Sequence, residues 1–370
     1  MIKRVVLFFL VLSTSAFAQT SKKEVTDIIH KVNNYWQSTH PKHGNSFWHT
    51  AAYHTGNMEA YFLTKKEDYR KYSENWAIQN EWKGAKSDNK AEWVYSYGET
   101  DKYVLFGDFQ ICFQTYIDLY NLDPDDKKIA RAKEVMEYQM STPNNDYWWW
   151  ADGLYMVMPV MTKMYKLTGD KRYLDKLHDY FDYANSIMLD KKTGLYYRDA
   201  KYIFPKHKSL NGKKDFWARG DGWVLAGLAK VLQDVPKKDK NRKEYIKIYK
   251  NLAKAVKVTQ QPEGYWTRSM LDPEHAPGPE TSGTAFFTYG ILWGINNGYL
   301  SKKEYMPVIE KSWKYLTETA LQTNGKIGYV QPIGEKAIPG QIVNENSTAD
   351  FGVGAFLLAS CEMYRYLDKK

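Results

Sequence analysis

The sequence predicts an all-α protein, an (α/α)6 barrel of six helical hairpins closed into a double ring. Three observations lead there. Six similar segments each open a stretch of helical periodicity, amphipathic helices lie between them, and helices apolar nearly all round follow them. A hairpin that cannot bury its inner face alone must stack on its neighbours, and six such units suit a closed ring.

The six segments are Trp48-His49-Thr50-Ala51-Ala52-Tyr53-His54-Thr55-Gly56, Phe106-Gly107-Asp108-Phe109-Gln110, Trp149-Trp150-Ala151-Asp152-Gly153, Trp217-Ala218-Arg219-Gly220-Asp221-Gly222-Trp223, Glu280-Thr281-Ser282-Gly283-Thr284-Ala285 and Glu345-Asn346-Ser347-Thr348-Ala349-Asp350-Phe351-Gly352. Between neighbours lie about 55 to 70 residues, somewhat less for the shortest gap, which is room for two helices and two loops. The intervening stretches 171–180 and 244–252 carry apolar residues on one face and charge on the other, so they read as outer helices. Val224-Leu225-Ala226-Gly227-Leu228-Ala229 and Val353-Gly354-Ala355-Phe356-Leu357-Leu358-Ala359 are apolar all round, as helices covered on both sides must be. Their small residues allow close approach.

Residues 1–18 have the layout of a cleavable secretory signal. Met-Ile-Lys-Arg precedes the apolar run Val5 to Leu12, and small residues end in Ala16-Phe17-Ala18. Residues 19–370 are then expected to form a single exported catalytic domain, in a periplasmic setting. The two cysteines, Cys112 and Cys361, sit inside apolar helical patterns where Cys acts as a small hydrophobe, so disulfides are not what holds the chain together. The net charge of +9 comes largely from lysines on helix faces. No module interleaves basic and aromatic residues as nucleic-acid binders do, and no apolar run after the leader is long enough to cross a membrane. A diffuse positive field suits an acidic polysaccharide fragment. Oligomeric state is not legible.

If the inner helices all start on one side, their polar and aromatic first residues converge on a single mouth, the default signature of a binding site. The 30 Tyr and 13 Trp residues gather at these starts; any one of them is more readily a core filler, but their repeated placement beside Asp, Arg and Glu weakens that reading and points to a sugar-binding cleft. No zinc-type Cys/His spacing, phosphate-cradling Gly loop or Gly-x-Ser-x-Gly elbow occurs, so neither a metal nor a cofactor is expected. His40, His43, His49 and His54 lie close in sequence and read as structural rather than as ligands. What remains is carboxylate chemistry. Asp152 follows three tryptophans, and burial against indole raises a carboxyl pKa toward what a general acid needs. A helix N-terminus favours the charged form, and a second carboxylate nearby, for which Asp108 is the candidate, restores the proton. An Asp at a helix start is ordinarily a cap, so on motif shape both readings stand. Arg219 and Trp223 lie four apart on one helix face and can grip one sugar together, the alternative being a salt bridge from Arg219 to Asp215 or Asp221.

The sequence resembles the unsaturated glycuronyl hydrolases, most of all the unsaturated rhamnogalacturonyl hydrolases of glycoside hydrolase family 105 and their relatives in family 88. The resemblance spans most of the mature chain and rests on residues 149–159, 217–223, 280–285 and the closing Gly352-Val353-Gly354-Ala355-Phe356. It implies an (α/α)6 barrel and addition of water across the 4,5 double bond that polysaccharide lyases leave on a terminal uronic acid. In the mechanism it implies, Asp152 protonates C4, charge builds on C5 and the ring oxygen, water adds at C5, and the hemiketal opens to release the aglycone. Asp108 matches the second carboxylate, Arg219 and Trp223 match residues that hold the unsaturated sugar, and Trp150, Tyr53 and His54 are further substrate-side candidates. Where relatives often read Tyr-His-Gly after a Gly-Leu-Tyr turn, this chain reads Gly194-Leu195-Tyr196-Tyr197-Arg198-Asp199, so Arg198 stands at the usual His position and is expected to touch the uronate carboxylate differently. An ordinary glycosidase with paired carboxylates and a non-catalytic sugar-binding protein are the alternative readings. The identity of the aglycone is not legible.

Overall fold

A computed structural model describes residues 20–369; the leader-like residues 1–18 lie outside that range. Among the described residues there are twelve α-helices: α1 (Lys22–Thr39), α2 (Trp48–Thr64), α3 (Glu67–Gln79), α4 (Cys112–Leu122), α5 (Lys127–Ser141), α6 (Ala151–Thr168), α7 (Arg172–Met188), α8 (Ala218–Asp234), α9 (Arg242–Val258), α10 (Thr281–Asn296), α11 (Lys302–Tyr315) and α12 (Asp350–Asp368). β-pairing is confined to isolated bridges among these residues.

The even-numbered helices form the inner ring. Each packs against the next in turn, and α12 packs against α2, so the ring closes. The (α/α)6 expectation is met. Closure is achieved at a glycine seam: a Cβ on Gly56 of α2 would fall 2.3 Å from the Gly354 carbonyl oxygen of α12, and one on Gly354 would fall 2.4 Å from the Ala52 carbonyl oxygen. No other residue permits that approach without displacing backbone.

The outer helices are amphipathic as their spacing requires. α7 buries Tyr173, Leu174, Leu177, Tyr180, Phe181 and Ala184, and α9 buries Tyr245, Ile248, Tyr249, Leu252, Ala253 and Val256. Both sets recur every three to four residues, which is one helix face. The inner helix α8 is buried continuously from Ala218 to Leu232, so truncating one of its leucines to Ala should cost about 2–5 kcal/mol. The ends are defined locally. Ser21 and Glu24 form a capping box on α1, Gly169 closes α6 in the left-handed region at φ 72°, and the Glu280 carboxylate accepts from the Ser282 and Gly283 amides at the start of α10. Cys112 and Cys361 are free and buried.

One segment departs from expectation. Phe106–Gln110 does not open directly into a helix but forms a 3₁₀ turn, Gly107–Phe109, before α4 begins at Cys112. The Gln110 side chain, which donates to Val104 O at 3.3 Å and to Gln139 Oε1 at 2.8 Å, holds the turn tight. The first residues of α2 and α6, the turn before α4, and the loop before α12 all meet at one end of the ring. In the opposite halves of the inner helices, ion pairs such as Arg365–Glu59 (2.5 Å) and Lys163–Asp118 occupy the interior.

Candidate active site

The mouth of the ring holds a cavity of about 480 Å³, well within the range of small-ligand sites. Asp152 is the second residue of α6, and the chain enters that helix through an extended Trp150 bridged to Asp199, with the Ala151 amide donating to Arg198 O at 2.8 Å. This short pairing delivers Arg198 to the acid. Its Nε lies 3.6 Å from Asp152 Oδ2, while its Nη1 donates to Asp199 at 2.6 Å and to Glu335 at 3.3 Å.

Asp108, on the 3₁₀ turn before α4, lines the same cavity. Burial pushes its carboxyl well above the usual carboxylate range and the neighbouring Asp152 charge pushes it further, against a smaller pull from Arg198. Burial also raises Asp152, but Arg198 and then Arg219 draw it back toward the charged form. Two carboxyls in one low-dielectric pocket resist ionising together, and the guanidinium favours the charged form at Asp152 over that at Asp108.

Aromatic walls enclose the pair. Trp150 packs against Gly107 and Gly153, where an added Cβ would meet its ring at 3.0 and 3.2 Å. Phe47 and Trp48 come from the start of α2, and Trp149 precedes α6. His49 is anchored through Nδ1 to Asp350 Oδ2 at 2.7 Å, and the pairing with Asp350 outweighs burial to raise its pKa. Three loops complete the rim: Tyr97 and Glu99, joined at 2.8 Å; Lys201; and Ile333, Gly334 and Glu335. Glu335 accepts from Tyr202 at 2.5 Å and from Lys201 at 3.0 Å. A group of three or more His, Cys, Asp or Glu side chains placed to hold a metal is absent among the described residues.

The structure therefore brings Asp152, Asp108, Trp150 and Arg198 together, and it moves four other expected contacts away. Arg219 is fully buried beneath the 331–334 loop. It donates to the carbonyls of Gln331 (2.7 Å), Pro332 (2.9 Å) and Gly334 (3.4 Å) and lies 4.0 Å from Glu280, not against Asp215 or Asp221. Its guanidinium sits 4.5 Å from the Trp217 ring and 4.6 Å from that of Phe351, and burial lowers its pKa to about 10. Trp223 is also fully buried, wedged against Phe286 (4.3 Å) and Tyr155 (4.8 Å) below Trp48. Helical spacing placed both side chains inward correctly but could not give their depth.

Tyr53 and His54 lie roughly 7.5 to 9 Å further down α2 than Trp48 and turn toward the outer helices. Tyr53 donates to Asn33 at 2.5 Å. His54 pairs with Ser73 at 2.9 Å and stacks on Trp76 at 4.0 Å, and burial holds it well below the ordinary imidazole pKa. They are core residues. In their place the mouth recruits Trp48, His49, Tyr97, Glu99, Trp149, Lys201 and Glu335. The first two and Trp149 stood in the recognised segments, whereas the loop residues carried no local signal.

Known proteins share this sequence pattern and fold. The profile described as Glycosyl Hydrolase Family 88 matches residues 20–367. A solved structure described as a glycosyl hydrolase family 88 protein from Bacteroides vulgatus is 62% identical, covers 94% of this chain and 100% of its own, and superposes with a TM-score of 0.92. Another, described as a polysaccharide lyase, is 73% identical over 95% of this chain and 99% of its own, with a TM-score of 0.93. The unsaturated 3S-rhamnoglycuronyl hydrolase of Formosa agariphila is 32% identical over 89% of this chain and 88% of its own length.

Proposed function

The chain belongs to glycosyl hydrolase family 88, and from that membership together with the Asp108/Asp152 pair beside Arg198 we propose that it adds water across the 4,5 double bond of a terminal unsaturated uronic acid, releasing that sugar from lyase-generated oligosaccharides. One observation carries the reading: two carboxyls and a guanidinium sit in a single aromatic-walled cavity. A vinyl ether needs a positioned proton, negative charge to support the cation that follows, and a cation to hold the uronate carboxylate.

Arg198 and Lys201 supply the positive edge for that carboxylate. When it engages Arg198, the guanidinium's hold on Asp152 weakens and a further negative charge arrives, so Asp152 takes up a proton while Asp108 gives one up. It then delivers the proton to C4. The developing charge on C5 and the ring oxygen faces Asp108, now ionised, and water adds at C5 and loses its proton to a carboxylate. The resulting hemiketal opens and the aglycone departs with atoms and charge in balance. Trp149 offers a flat face to the sugar ring, and the buried Trp150, 4.7 Å from the Trp149 ring, backs that wall.

The relative described as a polysaccharide lyase points to a second reading, because a lyase makes the double bond that this reaction consumes. One assay separates them. Unsaturated disaccharides from several acidic polysaccharides should lose their vinyl-ether ultraviolet absorbance with the wild type and keep it with Asp152→Asn. A rise in absorbance on intact polysaccharide, with no decay on any disaccharide, would establish the lyase reading instead. Export is part of the proposal, supported by the charged, apolar and small-residue order of residues 1–18. No helix among the described residues is long and apolar enough to cross a membrane.

A further inference from the structure

Beside the catalytic cavity lies a second one of about 470 Å³, lined by Trp93, Val94, Tyr95, Ser96, Tyr97 and Trp149. The two are contiguous, since Tyr97 and Trp149 line both. The dividing indole is fixed: Trp149 donates from Nε1 to Tyr95 O at 3.1 Å and lies 4.7 Å from the Trp150 ring. The loop opposite is equally ordered. Val94 bonds Lys102 at 3.0 Å and Leu105 at 3.2 Å through the backbone, and Trp93 donates to Ser87 O at 2.9 Å with Arg131 behind its ring at 4.9 Å. On this held scaffold Tyr97 is 61% exposed. Its ring stands edge-on to Phe106 at 6.0 Å and adds an exposed aromatic face to the wall that Trp93 and Trp149 form beside the catalytic cavity.

The chemistry of the groove differs from that of the cavity it adjoins. None of its six lining side chains is ionised, and its two tyrosine hydroxyls donate to carboxylates, Tyr95 to Asp146 at 2.9 Å and Tyr97 to Glu99 at 2.8 Å. Arg131 behind Trp93 is only 4% exposed and already pairs with Asp88 and Glu134. Two other cations near its rings are also paired: Lys90, 5.7 Å from Trp93, with Glu134 at 3.2 Å, and Arg198, 5.8 Å from Trp149, with Asp199 at 2.6 Å and Glu335 at 3.3 Å. An anionic sugar would have to compete with those carboxylates, whereas a neutral pyranose would find aromatic faces for its C–H surfaces. We propose that this groove seats the second sugar of the leaving group, and that this sugar is uncharged; the proposal rests on the hydrolase reading given above. The enzyme is then built for unsaturated oligosaccharides of three or more sugars whose charge is concentrated at the unsaturated end.

The test compares an unsaturated disaccharide, a trisaccharide with a neutral sugar at the far position, and a trisaccharide with a uronate or sulfated sugar there. The neutral trisaccharide should exceed the disaccharide in kcat/KM by roughly 3- to 10-fold, the worth of one aromatic contact, and the charged one should show no gain. Ser96→Trp, which fills the groove from an exposed position, should abolish the gain and leave the disaccharide rate unchanged. Equal rates for di- and trisaccharide, preference for the charged trisaccharide, or equal slowing of all substrates by Ser96→Trp would overturn the proposal. Inactivity of the wild type on every substrate would count against the hydrolase reading alone. The groove is then still tested by titrating the neutral disaccharide product and following tryptophan fluorescence, with saturation expected for the wild type and none for Ser96→Trp; no saturation of the wild type would also overturn it.

Discussion

Nε of Arg198 lies 3.6 Å from Oδ2 of Asp152, and neither atom has a hydrogen-bond partner among the described residues. The separation is too long for a hydrogen bond and short enough for strong electrostatic influence in a buried site. The guanidinium thus sets how readily Asp152 holds a proton without claiming its lone pair. Under the proposed function Arg198 has two tasks, binding the uronate carboxylate and adjusting the acid.

Arg198→Gln should separate those tasks. Arg198 lowers the Asp152 pKa, so its removal raises it, and an acid that must be protonated then keeps its proton to higher pH. The alkaline limb of the kcat/KM profile, which reports the free enzyme, should move up, while KM for the unsaturated disaccharide rises at least roughly tenfold through loss of a charge-assisted contact. A limb that moves down would show that Arg198 does not act on Asp152 in this way.

Glu335 competes with substrate for the same cation. It accepts from Arg198 at 3.3 Å, Lys201 at 3.0 Å and Tyr202 at 2.5 Å, and those bonds hold it below its ordinary carboxyl pKa despite burial. Glu335→Gln removes the competing charge and keeps the shape. KM should fall about two- to fivefold with kcat retained, because a partly exposed charge contact is worth about 1 kcal/mol or less. A rise in KM would mean that Glu335 contacts the sugar itself.

The parts of the site that were legible share one property: they lie within a few residues of an inner-helix start. Asp152, Trp150 and Asp108 stand where periodicity begins, and Arg198 is tied to that start by the Ala151 amide. Glu335 could not be read, because its place depends on meeting Tyr202 across 133 positions of chain. Ring closure was likewise beyond repeat counting, and it became visible in the packing of α12 on α2 at the Gly56–Gly354 seam. Arg219 lies deeper than expected because helical periodicity gives the direction of a side chain around the axis and is silent about which loop covers the helix end. Tyr53 and His54 lie further down α2 and turn to α1 and α3.

Asp108 also links activity to stability. Its folded pKa stands well above the 3.8 of the free carboxyl, so the folded state binds the proton more tightly than the unfolded state. Its contribution to stability is therefore complete below about pH 3.8 and is lost as pH rises through the folded pKa. Asp108→Asn removes that loss. The variant should melt at a higher temperature than the wild type at pH 7, the difference should shrink toward zero near pH 3.8, and turnover of the unsaturated disaccharide should collapse. A variant that melts lower at pH 7 would place an unrecognised stabilising role on the carboxylate.

Arg219→Lys distinguishes a positioning role from direct contact with substrate. The guanidinium spans three carbonyls of the 331–334 loop and lies between Trp217 and Phe351. Lysine keeps the charge but cannot reproduce the fork or the stacking, and loosening a buried charged group of this kind costs about 3–5 kcal/mol. The melting temperature should fall, and kcat/KM should fall with it as Ile333, Gly334 and Glu335 lose their support at the cavity rim, an effect expected mainly in KM. Were Arg219 instead to grip the uronate, the substitution would impair kcat/KM on the unsaturated disaccharide while leaving the melting temperature of the free protein unchanged. Measuring both on one preparation decides between them: a joint loss identifies Arg219 as the bracket of the loop, and an isolated kinetic loss returns it to the substrate.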